Sequence, residues 1–583
     1  MANLDSLNDD ILYLILDHLS SERLTFLRCL RAVSKQLRGF ADAILYSTIV
    51  LEESNVFQEQ ASFRSIERLL DPADNLRRHV RLVKVNSYKG NEESFCMNTH
   101  LLVACLRSIQ KLYTFSWDTK VPLPDSILDA VHQHHPGAQL EVSLDNLTHR
   151  VVSSAQLHRL SMVVPCSDVF KPGQLMAFHQ LRDVLVKSPQ LRALSLDIHL
   201  DVSVREAAKE HIGEQYRSYG RFEEPVCNES WNHPSGGSDF CDDTGDIQIP
   251  IQPGDRWASL EELNINARTY QFDTEHCLRL QQCLDWTKLK RLTLGPSNPV
   301  AFFETFTGKV PRLEHLDLAY HMLPSDRYPH YVQARDFEHC LRFVSSLSKL
   351  KTLVVRCDST DFGNTFWSHV AVVHGGRLES LSLRARHNQF DGPMCKCKLY
   401  EFLTFFTRLK NLDLALAAQP YLSCNKCSKP WQSVNIDYVK AIPNLSTLQD
   451  VHISIQIHPN NDRDFLQCII DHALCAIRHL WTAFTANHCS NNLRSFRIHF
   501  WRWENPALHV GKDVFAHDTC FRSNVLIDSE MRGSYLVVRA RDYRRSITTK
   551  YLGLHIMEPE GDGEGPRLVF MEAHREQRNR ICE

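Results

Sequence analysis

The sequence predicts an α/β solenoid of irregular leucine-containing repeats, preceded by a small three-helix domain. Three observations predict it. A triplet of the form Leu-x-x-Leu-x-Leu recurs along most of the chain, helix-like apolar stripes lie between the triplets, and the first fifty residues carry a separate apolar pattern at helical spacing.

Asp5 or Ser6 is placed to cap a first helix, with Asp9 and Asp10 in its first turn, where carboxylates favour the positive end of the dipole. Leu7, Ile11, Leu12, Ile15, Leu16 and Leu19 recur three and four apart and form one stripe, which Leu14 widens. After a polar break at Ser20-Ser21-Glu22, a second stripe runs through Leu24, Leu27, Leu30, Val33 and Leu37, and a third segment follows through Ala41, Ile44 and Leu45. Three short helices bury little surface by themselves, so the unspent apolar width points to a partner.

This stretch resembles an F-box. The matching residues are Leu7, Asp10, Ile11, Leu12, Ile15, Leu19, Leu30, Val33, Ser34, Lys35 and Leu37; Asn8 stands where the family usually has Pro, and Leu37 where it often has Trp. The resemblance implies docking onto the Skp-type adaptor of a cullin–RING (SCF-type) ubiquitin ligase, through Leu7, Asn8, Ile11, Leu12, Ile15, Leu19, Leu30, Val33 and Leu37. The alternative is a helical cap packed on its own domain.

The strict triplet begins at Leu191, Leu289, Leu313, Leu378 and Leu409, with relaxed forms at Leu260, Leu350, Leu448 and Leu493 and weaker candidates at Val80, Leu112 and Leu157. Helical stripes such as Cys277-Leu278-Leu280-Cys283-Leu284 and Phe337-Cys340-Leu341-Phe343-Val344 lie between them. One strand–helix unit cannot bury its apolar face alone, so such units stack. From Leu260 to Leu493 successive starts are 29, 24, 37, 28, 31, 39 and 45 residues apart, an irregular period. The arrangement resembles the irregular leucine-rich repeats that follow F-boxes in large fungal families. The fold class is therefore an α/β solenoid of irregular leucine-rich repeats behind a three-helix F-box. The expected domains are 1–50 for the helical module, 51–505 for the array with an acidic insertion at about 205–256, 506–557 for a capping segment and 558–583 for a flexible tail.

Within such an array the polar residue inside each triplet faces the concave side. That row reads Ser195, Asn264, Thr293, Asp317, Val354, Ser382, Asp413, His452 and Arg497, and Asn264, Thr293, Asp317, Ser382, Asp413, His452 and Arg497 are the candidate substrate-face residues. The mixed chemistry specifies no particular ligand. The aromatic run from Arg497 to Trp503 reads as core or terminal-cap packing.

No leucine occurs between Leu200 and Leu260, and the Gly- and acid-rich composition from Gly220 to Gly254 predicts a segment that cannot bury enough apolar area to order itself. Glu558 to Gly565 has the same character and predicts a frayed end.

Cys395-Lys-Cys397 and Cys424-Asn-Lys-Cys427 follow adjacent triplets by similar intervals, which would bring four thiolates to one edge of the array, a donor set suited to tetrahedral structural zinc. Free loop thiols are the alternative. No other cofactor is expected. Stoichiometric zinc in purified protein, lost when Cys424 and Cys427 become Ser, is the signature; its absence from the wild type would end the idea.

With 66 Lys+Arg against 69 Asp+Glu, the net charge of −3 gives no overall basic excess for nucleic acid. No apolar run approaches the ~18 residues that span a membrane, and no positive region precedes an apolar stretch at the N-terminus, so a cytoplasmic or nuclear location is expected. The 19 cysteines are then read as reduced thiols. There is no Gly-x-Ser-x-Gly elbow, phosphate-binding Gly-x4-Gly-Lys-Ser/Thr loop, His-Glu-x-x-His or dinucleotide fingerprint, and no catalytic residue is assigned. His132-Gln-His-His135 reads as a helix end. The expected role is a non-catalytic, substrate-recognition subunit of an SCF-type ligase, with a protein substrate on the repeat array. A scaffold outside a ligase is the alternative.

Overall fold

The computed structural model describes residues 27, 29–52, 56–87, 92–119, 121–144, 147, 150–165, 174–199, 248–257, 259–266, 270, 272–295, 299–320, 332–357, 364–385, 403–416, 447–457, 495–503, 521–532, 535–543, 549–557 and 568–571. The chain divides into two units. One comprises 1–201, 247–266 and 279–288; the other comprises 202–246, 267–278 and 289–583.

In the first unit, helix α1 (Lys35–Leu45) starts at Ser34, whose hydroxyl accepts from Leu37 N, and it leads directly into strand β1 (Thr48–Glu52). The parallel array thus begins two residues before the expected boundary at 50. Strands β2 (Leu82–Ser87), β3 (Thr114–Trp117), β4 (Gln139–Leu144), β5 (Leu157–Pro165), β6 (Ala193–His199) and β7 (Glu262–Asn266) follow. Each pairs in parallel with the next. Helices α2 (Val56–Leu70), α3 (Leu76–His79), α4 (Glu92–Ser108), α5 (Asp125–His134) and α6 (Gln174–Lys187) lie in the crossovers, as parallel strands require.

The second unit contains the first part of α7 (Thr274–Cys283), then β8 (Arg291–Leu294), α8 (Val300–Phe306), β9 (His315–Tyr320), α9 (Val332–Ser345), β10 (Thr352–Cys357), α10 (Asn364–His374) and β11 (Ser380–Ala385). Strands β12 (Asn411–Leu416), β13 (Asp450–Ile457) and β14 (Ser495–Trp503) continue the parallel series. Then the pattern changes. Strands β15 (Phe521–Arg532), β16 (Tyr535–Tyr543), β17 (Thr549–Met557) and β18 (Leu568–Met571) extend β14 as an antiparallel ladder. The terminal cap is therefore a meander, and β18 lies within the stretch 558–583 expected to be a flexible tail. Its Leu-Val-Phe-Met run supplies the strand propensity that the Gly- and acid-rich residues before it lack.

Within each unit the parallel strands and their crossover helices make an α/β solenoid-like stack. The triplets explain it. The first apolar residue of each, Val80, Leu112, Leu157, Leu191, Leu260, Leu289, Leu313, Leu350, Leu378, Leu409 and Leu448, is buried, as are the two that follow wherever they are described. The three weaker candidates thus occupy the same structural position as the strict ones. Backbone bonding repeats with the triplet. In the second unit Lys290 O accepts from Glu314 N and His315 N, Glu314 O from Lys351 N and Thr352 N, Lys351 O from Glu379 N and Ser380 N, and Glu379 O from Lys410 N and Asn411 N. The first unit repeats the motif at Ser47, Arg81 and Arg192. The helical side of the core in the second unit is aromatic: Phe302 and Phe303 of α8 meet Phe343 of α9, with ring centroids 5.3 Å apart for Phe303 and Phe343, and Phe306 packs on Phe302.

Two buried histidines staple successive helices. His135, just after α5, has Nε2 2.8 Å from Leu106 O in α4. His374, the last residue of α10, has Nε2 2.9 Å from Val344 O in α9. Each occupies a helix C-terminal carbonyl of the preceding repeat, where intrahelical donors have run out. The His-rich stretch ending at His135 is indeed a helix end.

The acidic insertion is shorter than its composition implies. Ile249, Ile251 and Trp257 are buried, and Asp255 takes two hydrogen bonds of 2.7 Å from the Arg182 guanidinium on α6. Arg182 also donates to Gln252, and Gln252 N donates back to Asp255. Placing 248–256 inside an unfolding insertion is therefore incorrect. Ile-Gln-Ile-Pro-Ile carries apolar area that the surrounding Gly and Asp residues mask in a composition average.

Candidate recognition face

Strand alternation turns the two apolar residues of each triplet toward the helices and the residue between them to the opposite face. In the second unit the register makes that intervening position one continuous row. Thr293 is opposite Asp317, Asp317 opposite Val354, Val354 opposite Ser382, Ser382 opposite Asp413, Asp413 opposite His452, and His452 opposite Arg497. In the first unit Ser161, Ser195 and Asn264 align in the same way. The predicted row is therefore in register, but the candidates fall into two groups, with Asn264 in one unit and the rest in the other.

The side chains within each group bond along the row. Asn264 Nδ2 donates to Ser195 Oγ at 2.9 Å. Ser382 Oγ donates to Asp413 Oδ2 at 2.9 Å, and His452 Nδ1 lies 3.1 Å from Asp413 Oδ1. Asp413 thus sits between a hydroxyl and an imidazole, each on a neighbouring strand. This order matters chemically. A nucleophilic serine must give its proton to the imidazole, with the carboxylate behind. Here the Ser382 hydroxyl donates its hydrogen bond to the carboxylate, and His452 lies on the carboxylate's far side, so the imidazole is not placed as a base for Ser382. The arrangement fixes donors and acceptors on a rigid sheet, which suits binding.

A second row, two residues earlier on each strand, was not singled out by the sequence. In the first unit Arg159 bridges Glu262 at 2.7 Å and Glu141 at 3.6 Å across the strands. The signal was present in the second x of each triplet, Arg159 and Glu262 among them, but only register shows that these charges are neighbours.

At the N-terminal module, Leu27, Leu30 and Leu37 form a buried cluster with Phe40, Ile44 and Leu45 packed against it. Leu30 and Leu37 therefore pack into the module's own core. The stripe expected to run from Leu24 to Leu37 breaks at the turn 31–33, and Val33 is left 68% exposed. Leu7, Asn8, Ile11, Leu12, Ile15 and Leu19 lie outside the described residues, as do Cys395, Cys397, Cys424 and Cys427. Among the described residues no group of three or more His, Cys, Asp or Glu side chains is arranged to hold a metal ion. The described thiols Cys105, Cys277 and Cys283 are buried, and burial pushes each up to about 12, the range of an inert structural cysteine. No described helix is long and apolar enough to cross a membrane.

Comparison of the sequence with protein-family models and with curated proteins returns no match. The structure itself defines the class of protein at a coarser level: a chain whose two units are each built on a parallel sheet with crossover helices, presenting an ordered polar row on the face away from those helices.

Proposed function

We propose that this chain is the substrate-recognition subunit of an SCF-type cullin–RING ubiquitin ligase. In this reading the N-terminal helices carry the Skp-type adaptor and the outward row of the second unit holds a protein substrate. The observation that carries the substrate half is the bonded series Ser382–Asp413–His452, a preorganised polar surface with no activated nucleophile. The adaptor half rests on the resemblance of Leu7 to Leu37 to an F-box and on exposed Val33 within it. The chain's contribution would be positioning: holding a substrate lysine near a charged conjugating enzyme raises effective concentration without catalytic residues here.

Co-purification with the adaptor tests it. Ile11→Asp with Ile15→Asp should abolish adaptor and cullin association, and retained association would refute the adaptor half. A second reading, in which the helices only cap the array, draws on a different observation. The Tyr46 ring lies 5.5 Å from the Arg31 guanidinium and 4.7 Å from that of Arg68, and Ser47 O accepts from Arg81 N and Leu82 N, so α1 is fastened to the first strands. Adaptor-free protein with an intact array would favour that reading.

A further inference from the structure

A compact block of positive charge lies on one edge of the first unit, separate from the outward row. Arg77 and Arg78 come from α3, Arg81 from the entry to β2, and Lys111 from the entry to β3. Arg81 and Lys111 flank Tyr113, which is 49% exposed, an unusual degree for a large aromatic next to a strand. The Arg81 guanidinium is 5.7 Å and the Lys111 ammonium 5.0 Å from the Tyr113 ring centroid.

The block is both uncompensated and preorganised. The nearby carboxylates are already taken: Asp42 is paired with Arg31, and Asp74 with Arg68 at 2.7 Å. Among the described residues none of Arg77, Arg78, Arg81 and Lys111 has a carboxylate within ion-pair distance. Arg81 Nη1 donates to the carbonyls of Arg78, Val80 and Lys111, so the backbone fixes its head group before any ligand arrives. Arg77 is similarly held by Pro72 O at 2.6 Å. Fixing a cation in advance removes part of the ordering cost of binding an anion. Two titratable neighbours lie within reach of these cations. The Tyr113 phenol is lowered by its hydrogen bond to Lys111, then by the charges of Lys111 and Arg81. The His79 imidazole is lowered first by burial, with Arg81 and Arg78 adding to the shift against the opposing pull of Asp42 and Asp74.

We propose that the edge formed by Arg77, Arg78, Arg81 and Lys111 around Tyr113 is a docking surface for an acidic peptide segment of a partner protein. Charge complementarity sets the sign of the partner. Extent sets its class. The block spans the entries of two neighbouring strands, roughly 5 Å apart, plus one helical turn. Single-stranded nucleic acid calls for serial aromatic platforms along a longer basic groove, and Tyr113 is the one exposed aromatic among these described residues. A few carboxylates flanking an apolar side chain match the dimensions: the carboxylates meet the guanidinium and ammonium groups, and the apolar group lies on the phenol ring. This surface is independent of the adaptor reading, since none of its residues belongs to the F-box-like stretch.

The test uses the full chain and a fluorescein-labelled hexaglutamate peptide containing one central Phe, read by fluorescence anisotropy. Wild-type protein should bind it with an affinity that falls as salt rises. Arg78→Glu with Lys111→Glu should weaken binding at least ~10-fold, and Arg78→Ala with Lys111→Ala by less, with unchanged far-ultraviolet circular dichroism showing that both variants fold. Tyr113→Ala should weaken the Phe-containing peptide more than a plain hexaglutamate. No binding by wild-type protein, or equal binding by wild type and the charge-reversed variant, would overturn the proposal. So would an oligothymidylate that displaces the peptide at lower concentration than the peptide displaces itself, which would assign the surface to nucleic acid.

Discussion

Gly375 and Gly376 are adjacent, yet adding one methyl group to each should have opposite consequences. Gly375 follows the last residue of α10. A Cβ there would sit 2.4 Å from Ala371 O and 2.6 Å from Phe405 O, whereas one on Gly376 would meet nothing within 4 Å. The obstructing atoms at Gly375 are backbone carbonyls, so no rotamer change relieves the clash. Ordinary contact begins near 3.4 Å, so the Phe405 backbone must withdraw from α10 by about 0.8 Å, and the Ala371 carbonyl within α10 must also give way. That movement would carry the buried Phe406 and Leu409 with it and loosen the junction of two repeats. Overpacking typically costs ~1–3 kcal/mol, and a shift borne by backbone belongs at the upper end, so Gly375→Ala should cost about 3 kcal/mol. Gly376→Ala should be neutral or gain up to ~1 kcal/mol from the stiffer unfolded chain. Because a chain of this size need not unfold in one step, hydrogen exchange of peptides covering β11 and β12 is the appropriate assay. Opening free energies for the two variants that agree within ~0.5 kcal/mol would refute the packing argument.

Other perturbations test other parts of the molecule. Asp255→Ala strands the guanidinium of Arg182, whose side chain is only 16% exposed, and should destabilise the first unit by ~3 kcal/mol, measurable by the same exchange method on α6; Arg182→Met with Asp255→Leu should recover most of that. His374 is fully buried and burial depresses its imidazole to about 4, so between pH ~6.5 and 4 the unfolded chain binds a proton that the folded chain refuses. Its contribution is complete above pH ~6.5 and is lost as pH falls toward 4, by up to about 3 kcal/mol, and His374→Gln should flatten that part of the stability profile in acid titrations. Asp413→Ala should release Ser382 and His452 together and reduce substrate co-purification several-fold while leaving adaptor association unchanged; loss of both would place the effect in folding rather than recognition.

The sequence exposed the repeating parts of this fold because repetition is carried by local pattern. Triplet leucines announce strands, and the register of the intervening residues follows once neighbouring triplets stack, which is why the row from Thr293 to Arg497 could be written down in advance. The relations that depend on a neighbour's backbone were not legible. Nothing around Gly375 in sequence reveals that Phe405 O lies against it, and nothing in the His-rich end of α5 shows that His135 reaches a carbonyl in α4. The order of 248–256 was not legible because averaging over a long polar stretch conceals Ile249 and Ile251, and Arg182, the group that anchors the segment, is some seventy residues away. At the N-terminal module the spacing through Val33 fitted a helix, but a turn at 31–33 divides the stripe into buried Leu30 and Leu37 and exposed Val33.

The position immediately after the first leucine of each triplet shows how a structure of near-identical strands can keep its order. Over the first five triplets of the second unit it reads Lys290, Glu314, Lys351, Glu379 and Lys410, and the alternation ends at Gln449. Lys351 Nζ is 2.8 Å from Glu314 Oε2, and Lys410 Nζ is 2.8 Å from Glu379 Oε2. The Lys351 hydrogen bond holds the Glu314 carboxyl below the usual range, with the charges of Lys351, Lys349 and Lys290 acting in the same sense. Each such exposed pair adds little stability. Alternation acts instead through the pairings it forbids, because a slip that skipped one of these five repeats would set lysine beside lysine or glutamate beside glutamate. Identity of the repeats is thereby specified at the sheet's rim, by residues that take no part in the outward row. The outward row is then free to vary from strand to strand without disturbing strand order.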